Sequence, residues 1–473
     1  MNSWEIESFL TSTNGSLHID GVSAVDLARE HGTPLFVFSE TRIKHNIARL
    51  QKVQEVIGCP LKVCYAAKAM STMAILGTVK DSGCDIEVNS GGELWKALKA
   101  GFTGHQIIFN GTSKEVWEIE NAINANIYAI QVDSLYELSL IEETAQRLNK
   151  RANVSLRLVP EIETDTHSGL QTALLTSKFG MMPDEAFAAF RNYKDSPHLA
   201  MNSIHLHVGS QNPDAIVYTE AVEVLFAGVE RIFNETGIKL THVNVGGGFP
   251  VNYLRDRSGN PSRSEYVSHS QLEMLSADFE PVDAIRTAWN KASQGREELV
   301  KDLTILLEPG RSIIADTAIC LTTVRNAKQR PVSEPLITDN RQPTTDHWLL
   351  TDAGFNILLS METYKWYYHL ISAERTSEPH TTPYKMAGPL CDGGDVYFDI
   401  EGQNRLPDHR LLPENVRPGE VLALLNCGAY TLAQASQYNA RFLPAVVLIR
   451  DNGEAELIRK RDDFADLIKN DIW

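Results

Sequence analysis

The sequence predicts an α/β chain: a (β/α)8 barrel over residues 36–311, and an all-β, β-barrel-like domain built from 312–473 with the leading 1–35. Three observations carry this. Short β-branched runs bounded by Gly, Asn or Pro alternate with amphipathic, capped helices, a pattern of parallel pairing. Eight such units fall within about 250 residues, the span of a closed barrel. After Arg311 the alternation stops, and β-like runs are separated by long polar stretches.

The eight predicted strands are LKVCYA from Leu61, CDIEVN from Cys84, QIIFNG from Gln106, IYAIQVD from Ile127, VSLRLVP from Val154, SIHLHVG from Ser203, HVNVGGG from His242 and LTILLEPG from Leu303. Between them, SGGELWKALKAG opens on a Ser90/Glu93 capping box and stops at Gly101. SLYELSLIEETAQRLNKR repeats the signal with Ser134 and Glu137, and 215–236 carries apolar residues at helical spacing. The polar stretch 255–270 reads as a loop insertion in the barrel. In the second domain, HWLLTDAG, EVLALLN and AVVLIR read as strands, and RNAKQRPVSEPLITDNRQPTTDH and SAERTSEPHTTPY as loops.

At 473 residues, with 43% apolar and 22% charged residues, the chain has the make-up of a two-domain globular protein. A net charge of -17 argues against nucleic-acid binding and against anionic membranes. The six cysteines show no CxxC or Cys/His zinc spacing, and no metal is implied. MNSWEIESFL lacks a basic, apolar leader, and no run approaches the roughly 18 residues of a membrane span. These features predict a cytoplasmic location.

Active sites of such barrels lie at the C-terminal strand ends. Lys68, Glu87, His207, Gly246–Gly248 and Glu308 all fall there. The motifs YAAKA, HVGSQ, GGGFP, EPGR, CDGGD and GAYT occur in this order along nearly the whole chain. In that order they resemble the fold-type-III pyridoxal-phosphate decarboxylases, which include diaminopimelate, ornithine and D-ornithine/D-lysine decarboxylases. The resemblance implies pyridoxal 5'-phosphate as cofactor and a homodimer with shared sites.

By that resemblance Lys68 bonds the cofactor aldehyde, a role suited to a lysine in a desolvated barrel mouth. His207 stacks on the cofactor ring, while His205, on the same strand face, is a packed interior residue. Ser210, Gly246, Gly247, Gly248 and Tyr430 surround the phosphate. Arg311 binds phosphate or a substrate carboxylate. Glu308 pairs with the ring nitrogen and keeps it protonated, as decarboxylation requires; racemases on the same barrel place an arginine there. Glu87 fits either an acidic position near the cofactor or a helix N-terminal carboxylate. Cys391 returns a proton to the substrate carbon from the partner subunit.

Diaminopimelate decarboxylases carry a glutamate after this cysteine and an arginine in a stretch like NDLIRPALY. Here Asp392 follows Cys391, and Ser360 stands at the arginine's place in NILLSMETY. An arginine there would clamp a second carboxylate. Asp392, with Asp352, suits a distal ammonium instead. The leading expectation is therefore decarboxylation of a basic amino acid of the D-ornithine/D-lysine type to a diamine, as in polyamine metabolism. The alternatives are meso-diaminopimelate decarboxylation to lysine and decarboxylation of a citryl-ornithine-type siderophore intermediate, the latter suggested by the aromatic METYKWYYH stretch. A racemase or an inactive regulatory homologue fits less well, since Lys68, His207, Glu308 and Cys391 are all retained.

Overall fold

The computed structural model describes residues 4–159, 177–253, 279–331, 345–402 and 406–472. The expected insertion at 255–270 and most of the THSGLQTALLTSKFG run lie outside the described residues. The chain forms two compact units, Ile43–Val251 with Ala277–Ile313, and Met1–Arg42 with Asn252–Ser276 and Ile314–Trp473.

The first unit holds eight parallel strands closed into a barrel in sequence order. They are β1 (Leu61–Ala66), β2 (Asp85–Val88), β3 (Ile107–Phe109), β4 (Ala129–Val132), β5 (Ala152–Arg157), β6 (Leu199–His205), β7 (His242–Asn244) and β8 (Thr304–Leu307). All eight expected strands are present. Their β-branched and aliphatic residues are buried on both faces, as parallel strands covered by helices require. Cys64, Ile108, Ala129 and Leu306, from β1, β3, β4 and β8, form one buried cluster.

The helices begin where their caps predict. Helix α1 (Gly91–Lys99) is capped by Ser90, whose hydroxyl accepts from Glu93 N, while Glu93 bonds back to Asn89 N at 2.8 Å. Helix α2 (Leu135–Arg147) repeats this with Ser134 and Glu137. Helix α3 (Ile216–Thr236) stops at Gly237, which takes the left-handed backbone at φ 75°. No described helix is long and apolar enough to cross a membrane.

In the second unit, strand Leu35–Ser39 pairs antiparallel with Ala318–Pro331 and parallel with Ala445–Ile449. This moves the boundary from the expected 35/36 and 311/312 to Arg42/Ile43 and Ile313/Ile314. The reason is burial: all five residues of Leu35–Ser39 lie inside this sheet. A three-stranded sheet from Leu10 to Ser23 packs on the same core through Leu10, Leu17 and Ile19.

The expected loop after Val324 is corrected in part. Strand Ala318–Pro331 continues through seven exposed residues and pairs with Thr345–Thr351. A backbone ladder needs no apolar side chains, and Lys328 lies 5.7 Å over the Trp348 ring instead. Residues 382–384, also expected as loop, begin the strand Thr382–Ala387. Within METYKWYYH, Leu359–Thr363 makes one short helical turn, and Trp366, Tyr367 and Tyr368 are buried. Tyr253 packs edge-on against Trp366 at 5.0 Å. These aromatics are buried within the second unit.

Candidate active site

Barrel closure gathers side chains from six strand ends onto one rim. Lys68 sits in a single 3-10 turn, Ala67–Ala69, directly after β1. Its side chain is exposed between buried Ala67 and Ala69, so the expected desolvation of this lysine is not found. Glu87, within β2, is fully buried. Glu308 follows β8 and is buried as well. His207 lies two residues beyond β6, and Gly246 two beyond β7.

The centre of this rim is Glu308. Asn244 Nδ2 donates to its Oε1 at 2.7 Å, and Asn110 Nδ2 to the same oxygen at 2.9 Å. His205 Nε2 stands 3.5 Å from Oε2. His205 is thus more than packing; it faces the carboxylate. Burial opposes ionisation of Glu308, but the facing His205 and the Asn244 amide outweigh it and hold the carboxyl well below its usual range. Glu87 behaves oppositely. Burial pushes its carboxyl up to about 8, against the pull of Lys68 and aided by the charge of Glu308. Its Oε1 accepts from Asn110 at 2.8 Å, and its Oε2 has no hydrogen-bond partner. Glu87 therefore belongs to the rim cluster rather than to a helix N-terminus.

The glycine run serves close approach more than donation. At Gly246, φ is 73° and a Cβ would stand 2.6 Å from His207 Nδ1. At Gly247 a Cβ would collide with the Glu308 carbonyl oxygen. The N–H of Gly246 donates to Asn244 Oδ1 at 2.8 Å, and that of Gly247 to His207 Nδ1 at 3.0 Å. Two of the three expected phosphate donors are thus engaged inside the protein. Arg311, after Gly310, meets Ser210: its Nε and Nη2 each lie 3.3 Å from Ser210 Oγ. This pair forms the cationic, hydroxyl-bearing corner of the rim. Burial and the charges of Lys68 and Arg157 push His207 well below its usual range, so its ring is neutral.

The remaining expected residues belong to the second unit. The CDGGD loop is shaped by Asp395, whose carboxylate accepts from Leu390 N at 2.7 Å and Phe355 N at 2.9 Å. Cys391 and Asp392 at its tip are exposed. Asp392 accepts from Gly394 N at 2.9 Å and from the Tyr438 hydroxyl at 3.2 Å. Ser360 is buried in the short Leu359–Thr363 turn. Tyr430 has a left-handed backbone, φ 56°. Asp352 is corrected: it accepts from Thr33, Thr322 and the Thr323 N–H and pairs with Arg325 at 2.7 Å. With those partners it braces the sheet and is not a ligand for a substrate ammonium.

Asn110 and Asn244 were missed in the sequence, where each was only the polar end of a strand. The strand-end rule could have found both, since Asn110 follows β3 and Asn244 ends β7.

A lysine, a buried pair of unlike carboxylates, a neutral histidine and an Arg–Ser corner on one barrel rim define a barrel enzyme with an anionic ligand. Residues 42–315 match the model of the pyridoxal-dependent decarboxylases, pyridoxal binding domain. The chain belongs to this family, and it is a pyridoxal-phosphate-dependent amino-acid carboxy-lyase. It is 33% identical to a diaminopimelate decarboxylase of Methanocaldococcus jannaschii, over 97% of this chain and 95% of that one. A crystal structure of the M. jannaschii enzyme with L-lysine superposes with a TM-score of 0.83, at 32% identity and 98% coverage of both chains. The Helicobacter pylori diaminopimelate decarboxylase, also with L-lysine, gives 0.78 at 30% identity, over 94% of this chain and 98% of that one. These likenesses correct the expectation that D-ornithine/D-lysine decarboxylases are the nearest group.

The rim fits the cofactor. A ring nitrogen would find the ionised Glu308, a phosphate would find Arg311 and Ser210, and the tight glycine turn leaves no side chain in the way. The orphaned Glu87 Oε2 is a buried polar atom that a bound group can satisfy.

Glu87 gives a testable pH signature. The folded protein holds a proton on Glu87 that the unfolded chain releases above the ordinary value of 4.5. Stability from this source is complete below that pH and is lost as pH rises toward about 8, at no more than about 1.4 kcal/mol per pH unit. Denaturant unfolding of the full-length protein without cofactor should show this decline, and Glu87→Gln should flatten it. An unchanged slope in the variant would place the titration elsewhere.

Proposed function

We propose that the chain removes one α-carboxylate of meso-diaminopimelate, leaving lysine. One observation carries this reading: relatives at 33% and 31% identity, each matched over 97% of this chain, are diaminopimelate decarboxylases. Pyridoxal phosphate supplies the electron sink for the pair left when carbon dioxide departs. In this reading Lys68 anchors the cofactor, and Arg311 with Ser210 holds its phosphate, with Gly246–Gly248 and Tyr430 around it. Glu308 stays ionised against the ring nitrogen, and Glu87 stays protonated beside it. His207 forms the platform under the ring. Cys391 Sγ delivers the proton that replaces the lost carboxylate, and it comes from a second copy of the chain.

A second reading, decarboxylation of a D-ornithine/D-lysine-type substrate without the far carboxylate, is favoured by one specific observation. The buried residue at the expected clamp position is Ser360, and Asp392 follows Cys391. A hydroxyl cannot make the bidentate bond of an arginine, and an aspartate suits an ammonium.

Three experiments test these readings. Purified protein with cofactor should absorb in the visible band of lysine-bound pyridoxal phosphate, and Lys68→Ala should lose it; a band that survives would remove the anchor. Steady-state assays on meso-diaminopimelate, D- and L-lysine and D- and L-ornithine decide the substrate. The primary reading expects kcat/KM for meso-diaminopimelate to exceed the others by at least about tenfold. A preference for D-lysine or D-ornithine would transfer the assignment to the second reading, and Ser360→Arg should then shift it back toward the diacid. Finally, mixing inactive Lys68→Ala with inactive Cys391→Ala should restore about one quarter of parental activity if sites are shared across a homodimer. No recovery after subunit exchange would sink the shared site.

A further inference from the structure

We propose that Asn110 is a positioning residue, its side-chain amide being the shared donor that holds Glu87 and Glu308 in fixed register across the barrel mouth. The proposal rests on reading Glu308 as the carboxylate that faces the cofactor.

The geometry is specific. Glu87 lies on β2 and Glu308 follows β8, and β1 runs between those strands. Asn110 reaches both from the end of β3. Its own N–H donates to the Val88 carbonyl at 2.7 Å, which pins the residue to the top of β2. From there one nitrogen donates to Glu87 Oε1 at 2.8 Å and to Glu308 Oε1 at 2.9 Å. Both amide hydrogens are used, one on each carboxylate. The amide's Oδ1 is left without a hydrogen bond, and turning the amide round would set that oxygen against two carboxylate oxygens, so the orientation is fixed by the two acceptors. Asn110 is 5% exposed, so water does not substitute for it.

Two carboxylates bonded to one nitrogen lie within ~6 Å of each other. At that distance, away from water, both do not ionise readily. The surroundings break the tie. Glu308 has a second amide donor in Asn244 and faces His205, while Glu87 has Asn110 and no partner at Oε2. Around them, Lys68 favours charge on Glu87, and Glu93 and Glu308 oppose it. Arg157, itself near Asp133, acts on both carboxylates, and His207, neutral, adds no charge of its own. The outcome is a proton on Glu87 and a charge on Glu308, with the Asn110 amide bonded to both.

The test uses full-length Asn110→Leu and Asn110→Asp, the second nearly isosteric in case the first does not fold. Without the shared donor, the midpoint of the Glu87-dependent stability loss should rise by at least about half a pH unit. In the holoenzyme, kcat should fall about ten- to hundredfold with KM changed less than about threefold. Adding Glu87→Gln should recover at least about threefold of that kcat, since the carboxylate conflict is then gone. An unmoved midpoint overturns the proposal. So does a kcat loss indifferent to Glu87. If the parent turns over none of the candidate amino acids, the substrate reading fails, while the midpoint still judges Asn110.

Discussion

Keeping one carboxylate charged inside a barrel is the constraint on which this molecule depends. Glu308 is buried, and a buried carboxylate left alone takes up a proton. Its charge is held by groups from β3, β6 and β7 at once: Asn110, His205 and Asn244. Only closure of the parallel sheet brings those strand ends together. The same network reaches outward, because Asn244 also accepts from the Gly246 N–H, and Gly247 bonds His207. The carboxylate, the glycine turn and the histidine are therefore one mechanical unit. In the function proposed for the chain, such a unit would keep a fixed negative charge against the cofactor's ring nitrogen.

Much of this was legible in the sequence. Period, caps and turn residues locate all eight barrel strands, and strand-end placement singles out Lys68, Glu87, His207 and Glu308. What stayed hidden has physical causes. Asn110 and Asn244 carry no charge, and their importance lies in donors aimed across strands, which spacing along the chain does not encode. Leu35–Ser39 reads like any buried strand; its membership in the other sheet is a matter of long-range pairing. The extended arm around 325–331 is polar because its strands need only each other's backbone. Asp352 looked like a free acid because four of its partners lie far away or on another strand.

The substrate question has the same character. Fold, family and cofactor follow from features shared across the whole chain, whereas the choice between a diacid and a simple diamino acid turns on single positions such as Ser360 and Asp392. Similarity over 97% of the length weights the first, and local chemistry weights the second. One carboxylate separates the two substrates.

The bond from the Gly247 N–H to His207 Nδ1 decides what that histidine can do. A backbone N–H only donates, so Nδ1 must offer its lone pair, and the hydrogen of the neutral ring resides on Nε2. Both nitrogens are then spoken for: one as acceptor to the main chain, one as a proton carrier. The imidazole retains no basic site with which to abstract a proton from substrate. It is a flat, uncharged surface of fixed tautomer, and a base for the substrate has to come from another side chain.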